Sequence, residues 1–303
     1  MAEPPYPTIW SRMKAGKVIP FLGAGASIIG RPSDATWSAD RSIFPPTGGE
    51  LSRFLAEQTS FPSENPHDRD DLAKVSSYYA ETNGRSLLRE LLHEKLNRQY
   101  PIGELHRLLA EVPAPQLIVV TNYDTLLERA FDEAGKPYDL VVHPEDRTEY
   151  ANAILWRKHG ANRATPIAPG ELARDLDLAK TTVIYKIHGT LDMQDAERDS
   201  FVITEEDYVD FLSRMTTCTA IPPLFTAHFR ERNFLFLGYS LNDWNLRIVL
   251  RDLLKLRKDV LPAWAIQRSP SELECKLWDW RKVSIFNQTL DEFAAKLRRL
   301  QAV

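Results

Sequence analysis

The stretch "KVIPFLGAGASIIG", Lys17 to Gly30, runs from an apolar segment into two glycines one residue apart and then a serine. An apolar run that meets glycine and continues into helix-compatible residues reads as a buried first strand turning tightly into a helix, as in a dinucleotide-binding fold. The usual fingerprint is incomplete. A G-x-G-x-x-G beginning at Gly23 and Gly25 needs a third glycine at position 28, which is Ile28. Glycines at 23 and 25 would let backbone amides approach a pyrophosphate with no Cβ in the way, and Ser27 would add a hydroxyl donor. A tight turn with no ligand is the competing reading of the same residues.

Outward from this stretch the chain alternates short apolar runs with helical stretches, the pattern of a largely parallel sheet covered on both faces. The strand candidates are "VIPFLG", "QLIVVTN", "TVIYKIHG", "NFLFLGYS", "AWAIQ" and "VSIFN". The expected fold class is α/β, a doubly wound, mostly parallel Rossmann-like sheet with a helical insertion. The insertion is expected at about 48–112, where "GGELSRFLAEQ", "DLAKVSSYYAETNGRSLLRELLHEKLNRQ" and "GELHRLLAEV" place apolar residues at helical spacing. A second insertion at about 135–180 reads as weak strands and long loops. The 303 residues are expected to form one domain.

Composition narrows the classes. The start "MAEPPYPTIWSRMKAG" has no apolar core of a signal peptide and no apolar run is long enough to span a bilayer, so a cytoplasmic location is expected. Two cysteines, Cys218 and Cys275, are too few for a cysteine-based zinc site and argue against a disulfide framework. The formal net charge of −4 gives no general attraction for nucleic acid. From Asn245 onward 12 Lys and Arg face 7 Asp and Glu. This basic surplus reads as the solvated faces of two amphipathic helices, so direct nucleic-acid binding is not expected. Trp278 and Trp280 in "LWDWRK" fit either core or an interface. His106, His143, His159 and His228 show no metal-ligand spacing and read as loop or helix-face residues.

An open parallel sheet builds its site at the carboxyl ends of its strands. Four such ends carry polar or glycine residues: Gly23, Ala24, Gly25 and Ser27; "TNYD" at Thr121, Asn122 and Asp124; "HG" at His188 and Gly189; and "GYSLND" with Gly238 and Ser240. Asn122 and Asp124 equally fit as caps of the helix "DTLLERAF", as do Ser240, Asn242 and Asp243 for the helix after them. Tyr239 fits as packing.

Taken in order, these motifs resemble the sirtuin-like proteins, in particular their bacterial NAD-consuming branch. "GAGAS" is similar to the sirtuin nucleotide loop, "TNYD" stands at the Asn-x-Asp motif, "KIHG" at the catalytic His-Gly and "GYS" at a ribose-contacting motif. "PPTGGEL", "VITEEDYVDFL" and "FLGYSLNDWNLR" resemble the same branch. The chain departs from sirtuin deacylases in three ways. It lacks their four zinc cysteines, lacks their Asp-Phe-Arg element and has a long separation from Asn122 to His188.

The resemblance implies an NAD glycohydrolase that releases nicotinamide and ADP-ribose, with NAD as substrate, no zinc and a role in anti-phage defence by NAD depletion. Asn122 and His188 are the implied catalytic residues. Asn122 would hold the nicotinamide-ribose hydroxyls and a water, donating and accepting together. His188, titrating near neutrality, would serve as base. Asp124 would orient the carboxamide or the loop, while Gly23, Ala24, Gly25, Ser27, Thr121, Gly238 and Ser240 would contact the dinucleotide. It further implies a homo-oligomer switched by a HerA-like ATPase, or alternatively an Argonaute-type protein. A non-catalytic NAD or ADP-ribose sensor and an oligomeric scaffold are the rival readings. A hydride-transferring dehydrogenase fits poorly, because the third glycine is absent and no coherent substrate domain follows.

Overall fold

The computed structural model describes residues 3–32, 34–145, 150, 152–193, 195–216, 221–239 and 261–301. Its strands are β1 (Val18–Leu22), β2 (Leu117–Val120), β3 (Asp139–Val142), β4 (Ile154–Arg157), β5 (Thr165–Ile167), β6 (Val183–Lys186), β7 (Gly189–Thr190), β8 (Ser200–Phe201), β9 (Asn233–Leu237), β10 (Ala263–Gln267) and β11 (Val283–Asn287). Nine of them form one sheet in the order β11-β10-β9-β1-β2-β6-β3-β4-β5, and β7 pairs with β8 separately. From β11 to β3 every pairing is parallel. The α/β, mostly parallel, doubly wound expectation is met.

The helices are α1 (Tyr6–Lys14), α2 (Ala24–Ser27), α3 (Gly48–Gln58), α4 (Pro66–Arg69), α5 (Leu72–Asn83), α6 (Arg85–Leu96), α7 (Glu104–Glu111), α8 (Leu126–Glu133), α9 (Leu172–Asp175), α10 (Glu205–Thr216), α11 (Pro223–Glu231), α12 (Glu272–Asp279) and α13 (Leu290–Gln301). Alternate strand residues face opposite sides of the sheet, so each central strand supplies two cores. Val18 and Leu22 join Ile118, Ile184 and Leu237 beneath α1, α7, α8 and α13. Ile19 and Phe21 join Val119, Tyr185 and Phe236 on the other face, under α10, α11 and α12. Phe21 lies against Phe229, Phe234 and Phe236 at ring-centroid separations of 5.1 to 6.0 Å. Truncating a buried phenylalanine of this kind generally costs about 3–5 kcal/mol.

Helices α3, α5 and α6 form a third layer with its own core. Leu55, Val75, Leu88 and Leu92 pack there with Leu191, Phe201 and Ile203, which follow β6. Helix α3 starts where "TGGE" forms a capping box: Glu50 N donates to Thr47 Oγ1 and Thr47 N donates to Glu50 Oε2. A half-buried ionic network centred on the buried Glu145 ties this layer to the sheet. Arg85 pairs with Glu145 (2.6 Å) and Asp207 (2.8 Å), and Arg89 pairs with Glu145 (3.0 Å). His93 and Asp199 meet at 2.7 Å.

The stretch 135–180 is more regular than its sequence suggests. It carries β3, β4 and β5, and β4 pairs antiparallel with both neighbours. These strands are three or four residues long. They are set by non-local contacts, such as the buried Asp139 carboxylate accepting from Trp156 Nε1 (2.9 Å) and His159 N (2.8 Å). Strand β5 is an edge with Pro166 inside it, the placement a strand proline requires. Trp278 is core, whereas Trp280 is 78% exposed.

Candidate functional site

Chain direction across the sheet reverses at β1, with β2 on one side and β9 on the other. Loops at the carboxyl ends part there and leave a crevice, the position at which open α/β sheets bind ligands. A cavity of about 570 Å³ occupies it. Its sheet side is lined by Gly23, Ala24, Gly25 and Ser27 after β1, Thr121 to Asp124 after β2, His188 after β6, and Gly238 and Tyr239 after β9. Every expected site residue within the described residues therefore lines one cavity. Ser240 falls outside the described residues, as do Asn242, Asp243 and Cys218. The opposite wall comes from the helical layer, including Pro46, Thr47, Leu51, Asp71 and Leu72.

The two loop glycines have a cause that the sequence alone conceals. A Cβ on Gly25 would stand 2.9 Å from Gly238 Cα and carbonyl oxygen, and one on Gly23 would stand 2.7 Å from the same oxygen. Gly25 N donates to Gly238 O (2.9 Å), and Gly23 N donates to Leu237 O (3.0 Å). The glycines are thus required first by the close approach of the β9 end. The amide of Gly25 is already engaged there.

Asn122, Ser27 and Asp124 are mutually bonded. Asn122 Nδ2 donates to Gly23 O (2.9 Å) and to Ser27 Oγ (2.6 Å). Ser27 Oγ donates to Asp124 Oδ2 (2.5 Å), and Asp124 Oδ1 accepts from Leu126 N (3.0 Å) at the start of α8. The Ser27 hydroxyl expected for phosphate is thus given to a carboxylate. Asp124 stands one residue before the N-cap position of α8, Thr125, and binds the first helical amide and Ser27 at once. Asn122 has both N–H groups engaged, which narrows the expected donate-and-accept role to acceptance through Oδ1. Thr121 Oγ1 donates to Leu22 O (3.2 Å), fastening the same corner.

His188 is only 6% exposed, and its ring stands edge-on to Tyr208 and Phe211 of α10. Burial lowers its pKa to about 4, which corrects the expectation of a group titrating near neutrality. At pH 7 the ring is neutral and accepts through one nitrogen. Gly189 fixes the turn that follows: its φ is +84°, and β8 comes so close that a Cβ would lie 2.0 Å from Ser200 O.

His106 lies on α7 and His143 in the loop after β3, as expected, and both are buried. Each has an Nδ1 with no hydrogen-bond partner, and burial holds each below the ordinary imidazole range. Lys186 is wholly buried behind the site, its ammonium donating to Asp124 O (2.5 Å) and lying 3.4 Å from Glu128 Oε1. Burial raises the Glu128 carboxyl, with Lys186 acting against that rise. Among the described residues no group of three or more His, Cys, Asp or Glu is placed to hold a metal ion. Among them no helix is long and apolar enough to cross a membrane.

Several lining residues escaped the sequence reading. A second cavity of about 410 Å³ shares Gly25, Ile28, Gly238 and Tyr239 with the first and extends over β10 and β11, reaching Gln267, Arg268, Thr289 and Asp291. Arg31, at its edge, donates to both carboxylate oxygens of Glu50 (2.5 and 2.8 Å) and to Ala35 O, holding the segment between β1 and α3. The capping box around Glu50 was the one signal in the sequence for that segment.

Known proteins similar in sequence to this chain include three defence-related or NAD-hydrolysing ones by name. The chain is 27% identical over 251 residues to NAD(+) hydrolase ThsA of Enterococcus faecium, covering 80% of this chain and 46% of that protein. It is 28% identical over 232 residues to NAD(+) hydrolase ThsA of Acinetobacter baumannii, covering 76% and 38%. With Defense-associated sirtuin 2 of Bacillus subtilis it shares 23% over 261 residues, 86% of this chain and 21% of that one. The chain thus spans less than half the length of these relatives. Residues 116–286 match the model of the SIR2-like domain, and since that is more than half of the sequence, the chain belongs to the SIR2-like domain family.

Proposed function

We propose that the chain is an NAD glycohydrolase, cleaving NAD to nicotinamide and ADP-ribose. The observation that carries this reading is the convergence of Asn122 and His188 with the Gly23–Ser27 loop on one cavity at the sheet reversal. Four similar proteins bear the name NAD(+) hydrolase, which supports the same chemistry. The bond to be broken joins ribose C1′ to a nicotinamide that already carries positive charge, so the leaving group needs no acid. Charge develops instead on an oxocarbenium-like ribose. Asn122 Oδ1 accepts from the ribose hydroxyls or the attacking water. The neutral His188 ring accepts a proton from a hydroxyl or water that becomes acidic as that charge develops. The adenosine half would lie across the Gly25–Gly238 contact in the second cavity.

Because burial keeps His188 neutral down to about pH 4, its basic form is fully populated across the near-neutral range. The hydrolysis rate is expected to stay within about 10% between pH 8 and pH 6.5, where a histidine of ordinary pKa would be half protonated. An initial-rate profile checks this. A fall to half at pH 6.5 would mean that His188 opens to solvent before it acts.

The low basicity of the buried His188 also favours one rival, a sensor that binds NAD or ADP-ribose without turnover. Incubating the purified chain with NAD, with and without a HerA-like ATPase, and separating the products by chromatography distinguishes the two. Nicotinamide and ADP-ribose in equal amounts support the hydrolase. Bound NAD recovered intact under both conditions supports the sensor. A role in antiviral defence, a homo-oligomeric state and switching by a HerA-like ATPase, or alternatively an Argonaute-type protein, complete the reading. Of these, the defence role draws support from the likeness to Defense-associated sirtuin 2. A monomer in light scattering at micromolar concentration would contradict the oligomer.

A further inference from the structure

We infer that Asp124 and Ser27 form a polarity relay that dictates which end of the Asn122 amide faces the cavity, so that both are positioning residues for Asn122. The inference rests on the hydrolase reading for its catalytic consequence, while the relay itself stands on the hydrogen-bond geometry. A hydroxyl has one proton to donate, and a carboxylate only accepts. Ser27 gives its proton to Asp124 Oδ2, which leaves the serine oxygen an acceptor toward Asn122 Nδ2. The second Nδ2 proton goes to Gly23 O. Both donors of the amide are thereby turned toward protein, and Oδ1 is left for the ligand.

Direction in this chain comes from two acceptors facing Nδ2, the Gly23 carbonyl and a Ser27 oxygen that the Asp124 carboxylate keeps as an acceptor. Both oxygens of Asp124 accept, one from Ser27 and the other from Leu126 N. Its main chain is fixed as well, because the buried Lys186 ammonium donates to its carbonyl. An amide at 124 has the same shape but one acceptor fewer. If its oxygen stays on Leu126 N, its nitrogen donates to Ser27 and the serine proton is freed to point at Asn122, so Nδ2 loses one of its two acceptors and only Gly23 O still opposes a turn of the nitrogen into the cavity. A donor there cannot receive a ribose hydroxyl or water proton. Removal of the Ser27 hydroxyl acts differently, by leaving the amide held through Gly23 O alone.

Two measurements test the relay. In protein labelled with 15N-asparagine, the Asn122 side-chain amide, identified by its disappearance in Asn122→Asp, is expected to exchange slowly with solvent. That exchange should speed up about tenfold or more in Ser27→Ala and Asp124→Asn. In the NAD assay both variants are expected to lose about a hundredfold in kcat with KM changed by less than about twofold, while their melting curves remain cooperative. Fast exchange in the parent, or slow exchange untouched by either substitution, overturns the relay, as does parental kcat in Asp124→Asn. A parent that cleaves no NAD sinks the hydrolase reading alone, and the exchange measurement still decides the relay.

Discussion

Replacing His188 or Asn122 by alanine is expected to lower nicotinamide release by about a hundredfold or more, with the melting temperature little changed. For Asn122 the loss follows from geometry. Its Oδ1 is the acceptor turned toward the ligand, and the two bonds from Nδ2 hold it to Gly23 and Ser27. Without that oxygen neither the ribose hydroxyls nor the water has a fixed partner, and a misplaced water attacks slowly. For His188 the loss follows from its place at the end of β6, in a cavity wall where Tyr208 and Phe211 hold the ring edge-on. Alanine removes the acceptor and leaves a void that water enters. Equal parental rates in both variants would remove the catalytic assignment.

The second large effect concerns backbone. Gly238→Ala is expected to destabilise the protein by about 3 kcal/mol or more, a melting-temperature loss of roughly 6 °C or more. Gly238 has φ +66°, and an added Cβ would lie 2.4 Å from Ala26 N and 2.6 Å from Gly25 C. Neither atom belongs to a flexible side chain, so the ends of β1 and β9 must separate. Gly25→Val meets the same obstacle from the other side, and its failure to bind NAD would report the broken strand junction as much as a blocked phosphate. Gly49→Ala is the control. It sits inside α3 with nothing within 4 Å of its Cβ position, and is expected to match the parent or gain up to about 1 kcal/mol. Thermal melts of the three variants check the ranking, and a parental melt for Gly238→Ala would contradict the contact.

How much of this was legible in sequence depends on how local the cause is. The six long apolar runs each end in polar or glycine residues, and all six are parallel strands of the sheet. Strands β3 to β5 were obscure because three or four residues carry too little pattern, and their partners lie elsewhere in the chain. The strand-end residues converge as their order implied, yet the reason for the glycines was misread. Nothing near Gly25 in sequence announces that Gly238 arrives against it. His188 misled for the same reason: Tyr208 and Phe211, which bury it, are on a helix some twenty residues later. The polarity of Asn122 was likewise hidden, since it depends on a serine 95 positions away.

The most direct test of the site is a crystal structure of His188→Ala soaked with NAD, in which slowed cleavage preserves the dinucleotide. The expected result is NAD spanning the two cavities across the Gly25–Gly238 contact, with the nicotinamide ribose hydroxyls on Asn122 Oδ1 and C1′ facing the space left at position 188. NAD bound away from the ends of β1, β2 and β6, or a ribose held by the Asn122 nitrogen in place of its oxygen, would contradict it.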